Sequence, residues 1–250
     1  MIKRMEDLAD RTVWAMGEQL KCGDFVPFVF EHKFNMEVGD GDRKQLMSGT
    51  IDRVDICENG TDVYVRIIDY KTGKKDFNIV KTYYGIDIQL MVYMEAAMKL
   101  VAKMRPGKNV IPAGVFYYNI SDPIVSATTE SAEEIEDKIK GELRLKGMVN
   151  SDKDIAEKMD NTGGTSLNIP VSRKADGGFD SRRSKVMNTE QFNMLGRFVD
   201  VRAVDTADRI AGGDIRRSPY KDGQFSSCDR CPYGAVCGFS VDLPGCNYRK

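Results

Sequence analysis

The 250-residue sequence predicts an α/β fold of the α+β type: a mixed sheet built on an antiparallel meander, flanked by helices and followed by a cysteine-rich tail. Three observations carry this expectation. Three apolar, β-branched runs between residues 25 and 70 are separated by the turn-forming stretches GDGDRKQ and ENG. A long apolar segment of helical character follows the third run. Near the C-terminus, three of the six cysteines, Cys228, Cys231 and Cys237, fall within ten residues.

The elements follow in order. Met5, Leu8, Val13, Trp14, Met16 and Leu20 recur at helical spacing, so residues 1–24 form an N-terminal amphipathic helix that stops at Lys21-Cys22-Gly23. Phe25 to Val38 reads as a strand, GDGDRKQ as a hairpin turn, and Leu46 to Cys57 as a second strand. Glu58-Asn59-Gly60 is a strong turn signal before a third strand from Val63 to Tyr70. Tyr83 to Met104 is rich in good helix formers and predicts a helix packed on the sheet, and Val110 to Ile120 a fourth strand. Ser131 and Glu134 make a capping-box pattern that opens a charged helix to about Lys146. Residues 150–186, with paired glycines and many charges, predict an insertion of low order. Asn188 to Gln191 starts another helix that runs to Ile210, before Gly212-Gly213. The expected units are therefore 1–24, a core over 25–215, and a tail over 216–250.

Composition narrows the function classes. Hydrophobic residues are 41% and charged residues 30%, an ordinary globular balance with room for a real core. Net charge is −1, so overall charge does not by itself point to a nucleic-acid partner, and any basic surface must be local. No apolar run of membrane-spanning length and no signal-peptide core occur, which predicts a cytoplasmic protein with no membrane partner. In that compartment clustered cysteines point to metal rather than disulfides. No phosphate-binding G-x-x-x-x-G-K-[ST] loop is present.

The candidate chemistry lies in the second and third strands. Side chains two apart share a face, so Asp69 and Lys71 point one way and Tyr70 the other. If the ENG turn pairs the two strands, Asp52 of GTIDRVD and Asp69 of IIDYKTG can meet after a small register shift or bulge. Two carboxylates about 4 Å apart repel by roughly 4 kcal/mol at an effective dielectric near 20. Such a pair needs a cation, a shared proton or solvent, and oxygen ligands suit Mg²⁺ or Mn²⁺. Lys71 beside a metal-bound water could orient it or stabilise developing phosphorane charge, which makes metal-assisted phosphodiester hydrolysis the candidate reaction. The bland alternative is a row of surface salt bridges, with Asp55 a solvated or salt-bridging acid and Arg53 facing away by strand alternation. Gln89 and Tyr93 share a helix face, either to contact a phosphate or base or as packing at the edge of the core.

Taken together, Gly49 to Asp55, Ile68 to Gly73 and Gln89 to Tyr93 resemble the RecB-like branch of the PD-(D/E)XK nuclease superfamily, over roughly residues 25–250. The cysteine tail is similar to that of the AddB family of helicase–nuclease subunits. The resemblance implies a restriction-endonuclease-like core and a Mg²⁺-dependent DNA exonuclease acting on a single strand that emerges from a duplex end. It also implies an AddA-type helicase–nuclease partner and work in double-strand break resection. Carried over, Asp52, Asp69 and the Tyr70 backbone carbonyl hold the metal, and Lys71 is catalytic. Gln89 and Tyr93 position DNA, and Glu31 matches a glutamate on the preceding strand. The family's metal-binding histidine lies on an upstream helix, whereas the only histidine here is His32, read as structural, so the chain is expected to be a fragment starting downstream of that ligand.

Cys228, Cys231 and Cys237 give C-x2-C-x5-C, three ligands toward a [4Fe–4S] cluster or a zinc ion. The resemblance places the fourth ligand far upstream, outside this chain; Cys22 and Cys246 are the internal candidates, and Cys57 reads as a small apolar residue. Arg173, Lys174, Arg182, Arg183 and Lys185 form a basic stretch, either a solvated loop or a phosphate track. Two further functional readings remain open: a decayed Fe–S module that grips DNA ends, and a stand-alone Fe–S exonuclease.

Overall fold

The computed structural model describes residues 2–39, 44–123, 125, 131–223, 225–229 and 231–249, so the tip of the GDGDRKQ turn lies outside the described residues. Helix α1 (Ile2–Lys21) leads into strands β1 (Val26–Val38), β2 (Gln45–Asn59) and β3 (Asp62–Lys71). Helices α2 (Ile79–Tyr83) and α3 (Gln89–Met104) precede β4 (Asn109–Asn119), α4 (Ala132–Leu143), β5 (Lys146–Asn150) and α5 (Lys153–Met159). The chain continues through β6 (Val186–Met187), α6 (Thr189–Ala211), β7 (Lys221–Asp222), β8 (Phe225–Ser226) and α7 (Gly234–Cys237).

Strands β1 to β6 make one sheet in chain order. The β1–β2–β3 meander is antiparallel, as the turn signals predict, while β4 returns parallel to β3 by a crossover through α2 and α3. Asn59 pairs with Asp62, leaving Gly60 and Thr61 as a two-residue turn; Gly60 sits at φ +59°, a conformation glycine adopts without steric cost.

Both faces of the sheet are covered, which is why β3 and β4 read as nearly unbroken apolar runs. On one face Val54, Val65 and Ile67 pack with Leu90, Met94 and Val101 of α3 and Phe192 and Val199 of α6. On the other, Tyr64, Ile68 and Phe116 pack with Ala15 of α1, Leu143 of α4, and Ile155 and Met159 of α5. Among the described residues no helix is long and apolar enough to cross a membrane.

Both expected caps form: Ser131 with Glu134, and Asn188 with Gln191, exchange side-chain and backbone hydrogen bonds at the starts of α4 and α6. Elsewhere the boundaries differ from expectation. The helix expected from Tyr83 begins at Gln89, because Gly85 at φ +73° ends the short α2 and turns the chain. The charged helix stops at Leu143, since Lys146 already belongs to β5. In α1, Met5 and Val13 point outward and the buried positions are Ala15 and Gln19.

Residues 150–186, expected to have low order, contain α5 and a loop closed around buried Asp160. That carboxylate accepts from Thr162 N and Oγ1, Ser166 Oγ and Asn168 Nδ2. Arg173 Nη2 donates to the carbonyls of Ala156 and Asp160, so this basic residue serves the loop itself. The polar composition is spent on internal hydrogen bonds rather than on solvent.

Candidate active site

The site grows from the β2–β3 register. The last pair of that ladder is Arg53–Ile68, and one further step sets Asp52 opposite Asp69, with no shift or bulge needed. The Tyr70 backbone N–H donates to Asp52 Oδ2 at 2.7 Å, which ties the first acid to the strand carrying the second. Asp69 is 2% exposed, and Asp52 is half-buried.

Lys71 Nζ lies 2.5 Å from Asp69 Oδ2 and forms an ion pair with it. That oxygen is buried, and Lys71 is its partner among the described residues. Burial, foremost, pushes the Asp69 carboxyl above the ordinary aspartate value; Lys71 draws it back down, and Asp52 and Asp87 add to the rise. A buried acid opposite a second acid supplies the hard oxygen donors that suit a divalent cation. Asp52 and Asp69 thus offer the kind of oxygen donors that the expected metal site calls for. Among the described residues no group of three or more His, Cys, Asp or Glu side chains converges, so the acidic part of the site is the aspartate pair.

Lys71 is held from the helix side. Its ammonium donates to Gln89 Oε1 at 3.0 Å, and Gln89 Nε2 donates to the Tyr93 hydroxyl at 2.9 Å. Because α3 starts at Gln89, both residues stand in its first turns, directly over the strand ends. Tyr93 meets Phe34 edge-to-face, with ring centroids 5.7 Å apart. A methyl group at Gly49 would come within 2.9 Å of the Phe34 ring and 3.2 Å of Tyr93. The glycine of GTIDRVD thus makes room for the tyrosine that holds the glutamine that holds the lysine. Only the spacing of the motif, not any periodicity, could have pointed to it.

The reverse face of the same strands carries a second charged group. Arg53, as alternation predicts, points away from Asp52. Asp55 is not solvated: it is fully buried, accepting from Arg53 Nε and Nη2 at 2.6 and 2.8 Å and from Arg66 Nε at 2.8 Å. Burial lowers the Arg66 value, whereas at Arg53 burial is outweighed by the bonds to Asp55 and Tyr70. Burial raises the Tyr70 phenol value and the Arg53 guanidinium draws it back down, so this triad acts on the residue whose backbone holds Asp52.

Glu31 is exposed on β1, where the register sets it opposite Asp52, and its φ of +47° is the one positive value among described non-glycine residues. His32 pairs with Ile51 in the ladder. Of the tail cysteines, Cys228 and Cys231 are exposed and Cys237 is half-buried; among the described residues no group of three or more His, Cys, Asp or Glu that could hold a metal is found. Cys22 closes α1 against Asn161 and Cys246 is buried, and neither completes such a set. Cys57 is core, as expected. Of the basic stretch, Lys185 pairs with Asp76 and Arg183 stands 3.9 Å from Asp180, while Lys174 and Arg182 are exposed.

Comparison with known proteins agrees with this geometry. The chain is 36% identical over 257 residues to an ATP-dependent helicase/deoxyribonuclease subunit of Clostridium botulinum (strain Hall), covering 98% of this chain and 22% of that protein. The corresponding helicase/deoxyribonuclease subunits of Clostridium tetani and of Thermoanaerobacter sp. (strain X514) are 36% and 35% identical, over 100% and 98% of this chain. The chain spans about 22% of the length of these relatives. A family model described as the PD-(D/E)XK nuclease superfamily matches residues 1–238. That match takes in both aspartate-bearing strands and the helix of Gln89 and Tyr93, and the chain belongs to the PD-(D/E)XK nuclease superfamily.

Proposed function

We propose that this chain is the Mg²⁺- or Mn²⁺-dependent DNA exonuclease domain of an AddAB-type helicase–nuclease, hydrolysing one strand that emerges from a duplex end. The supporting observation is the pair Asp52–Asp69, set opposite one another by the register, with the buried Asp69 carboxylate ion-paired to Lys71. In this reading Asp52, Asp69 and the Tyr70 carbonyl hold the cation, which supplies Lewis-acid polarisation and a more acidic bound water. Lys71 donates to the scissile phosphate as its charge grows, and keeps its ammonium aimed through Gln89. Tyr93 fixes the Gln89 amide so that its carbonyl faces the lysine. Glu31, exposed beside Asp52, lies where it can position the strand or a water on it.

The relatives' name, a helicase/deoxyribonuclease subunit, motivates a helicase–nuclease assembly, to which the resemblance adds an AddA-type partner and a role in double-strand break resection as parts of the proposal. An iron–sulfur cluster on Cys228, Cys231 and Cys237, with a fourth ligand outside this chain, is a proposal for the longer polypeptide and takes no part in the steps above. The test is degradation of end-labelled single-stranded DNA by the complete polypeptide with Mg²⁺. Asp69→Ala is expected to lower the rate by at least a hundredfold while DNA binding persists; an unchanged rate refutes the assignment. A wild type that binds but never hydrolyses would favour a decayed, end-gripping module instead.

A further inference from the structure

A second basic feature lies on the segment that leads into α3. The turn after α2 and the outer face of α6 enclose a cavity of about 260 Å³ lined by Tyr84, Ile88, Arg202, Arg209, Arg216 and Arg249, among others. Ile88 on the cavity wall immediately precedes Gln89, so the segment that lines the cavity is continuous in the chain with the helix that carries Gln89 and Tyr93. Arg209 and Arg216 also line a larger adjoining cleft of about 1500 Å³ along the C-terminal tail.

The charges there do not cancel. Arg209 and Arg216 share Asp214, each at 2.7 Å. Asp205 is the other acid on the wall. Arg202 and Arg249 form no ion pair among the described residues; they donate instead to backbone carbonyls, Arg202 to Tyr83 and Arg249 to Ser218 and Tyr84. Burial first, then the nearby Arg202 and Arg209, holds the Arg249 value down, as expected where guanidiniums crowd without a counter-ion. Next to these cations stands an aromatic platform. Tyr83, 55% exposed, stacks on Phe198 at 5.3 Å and 7°, and the Arg202 guanidinium lies 5.6 Å from the Phe198 ring. Forked donors for phosphate oxygens beside an exposed ring are what a single-stranded nucleic acid engages.

We propose that this arginine cavity is a phosphodiester-binding subsite that holds the single strand just outside the Asp52–Asp69 centre, with Tyr83 and Phe198 receiving a base. The proposal rests on the nuclease reading for its substrate, but its test does not use hydrolysis. In EDTA, fluorescence anisotropy of a labelled oligothymidylate is measured against NaCl concentration for the wild type, Arg202→Gln, Arg202→Lys and Arg249→Gln.

Each glutamine variant is expected to bind at least fivefold more weakly and to reduce the slope of log K against log salt by about 0.7, the value for one lost phosphate contact on a single strand. Arg202→Lys is expected to keep the slope. Unchanged affinity and slope in both glutamine variants overturn the subsite, as does a wild type that fails to bind. Competition by oligoglutamate as strong as that by unlabelled DNA also overturns it, in favour of an acidic protein segment. Failure of the nuclease reading registers separately, as hydrolysis unaffected by Asp69→Ala.

Discussion

Replacing Asp55 by asparagine keeps the shape of the side chain and removes one charge from the least exposed polar cluster in the sheet. The carboxylate is fully buried and takes three hydrogen bonds from two guanidiniums that are each 1% exposed. Asparagine presents one acceptor and an NH₂ group, so Arg53 and Arg66 are left as buried cations with no counter-charge and at least one donor facing another. Breaking a buried pair in this way costs about 3–5 kcal/mol. Against a net stability of roughly 5–15 kcal/mol this is a large fraction. At about 2–4 °C per kcal/mol for a chain of this size, Tm should fall by roughly 6–20 °C. Urea unfolding followed by far-ultraviolet circular dichroism gives the free energy directly. A loss below about 1 kcal/mol, with an unchanged denaturant slope, would refute the view that the triad is a paired and desolvated unit. Adding Arg66→Met to Asp55→Asn should recover part of the loss, because burial is what most disfavours the Arg66 charge.

Two further outcomes follow from the site. Asp69 has a folded-state value raised above the ordinary 3.8, so its contribution to stability is complete below that pH and is lost as pH rises through the raised value. Metal-free Asp69→Asn should therefore gain on the wild type as pH climbs from about 4, and Mg²⁺ should raise the wild-type Tm but not the variant's; a stability difference that does not change with pH would contradict this. Gly49→Ala must displace Phe34 or Tyr93 from contacts of 2.9 and 3.2 Å, and so slacken the Gln89–Lys71 bond. The expected effect is roughly a tenfold lower turnover, equivalent to about 1.4 kcal/mol, with DNA affinity nearly unchanged, read by comparing steady-state cleavage with anisotropy.

Much of this is legible in the sequence. The ENG turn fixes the β2–β3 hairpin, and from it the meeting of Asp52 and Asp69 follows; the actual register needs even less adjustment than the spacing suggests. Capping boxes at Ser131 and Asn188 announce their helices because the side-chain chemistry is local. What the sequence hides is where polar groups find partners far along the chain. Asp55 looks like half of an exposed charge row until Arg66 arrives from the next strand. Asp160 makes a glycine-rich, charged stretch into a closed loop through partners that composition cannot reveal. The run YYGIDIQ reads as helix because its residues are apolar, while one glycine at positive φ moves the start to Gln89. The arginines of α6 escape a reading by periodicity, which describes only the inward face of the helix.

The order in which these parts come together has its own consequence. A two-residue turn is enough to face Asp52 with Asp69, whereas Gln89 and Tyr93 reach them only through the crossover that returns the chain to β4. Local closures are entropically cheap and form early; long ones come late and open first. The acid pair is therefore native to the hairpin, and its polar escort is native to the tertiary fold. A chain that loosens α3 loses the aim of its lysine before it loses its acids.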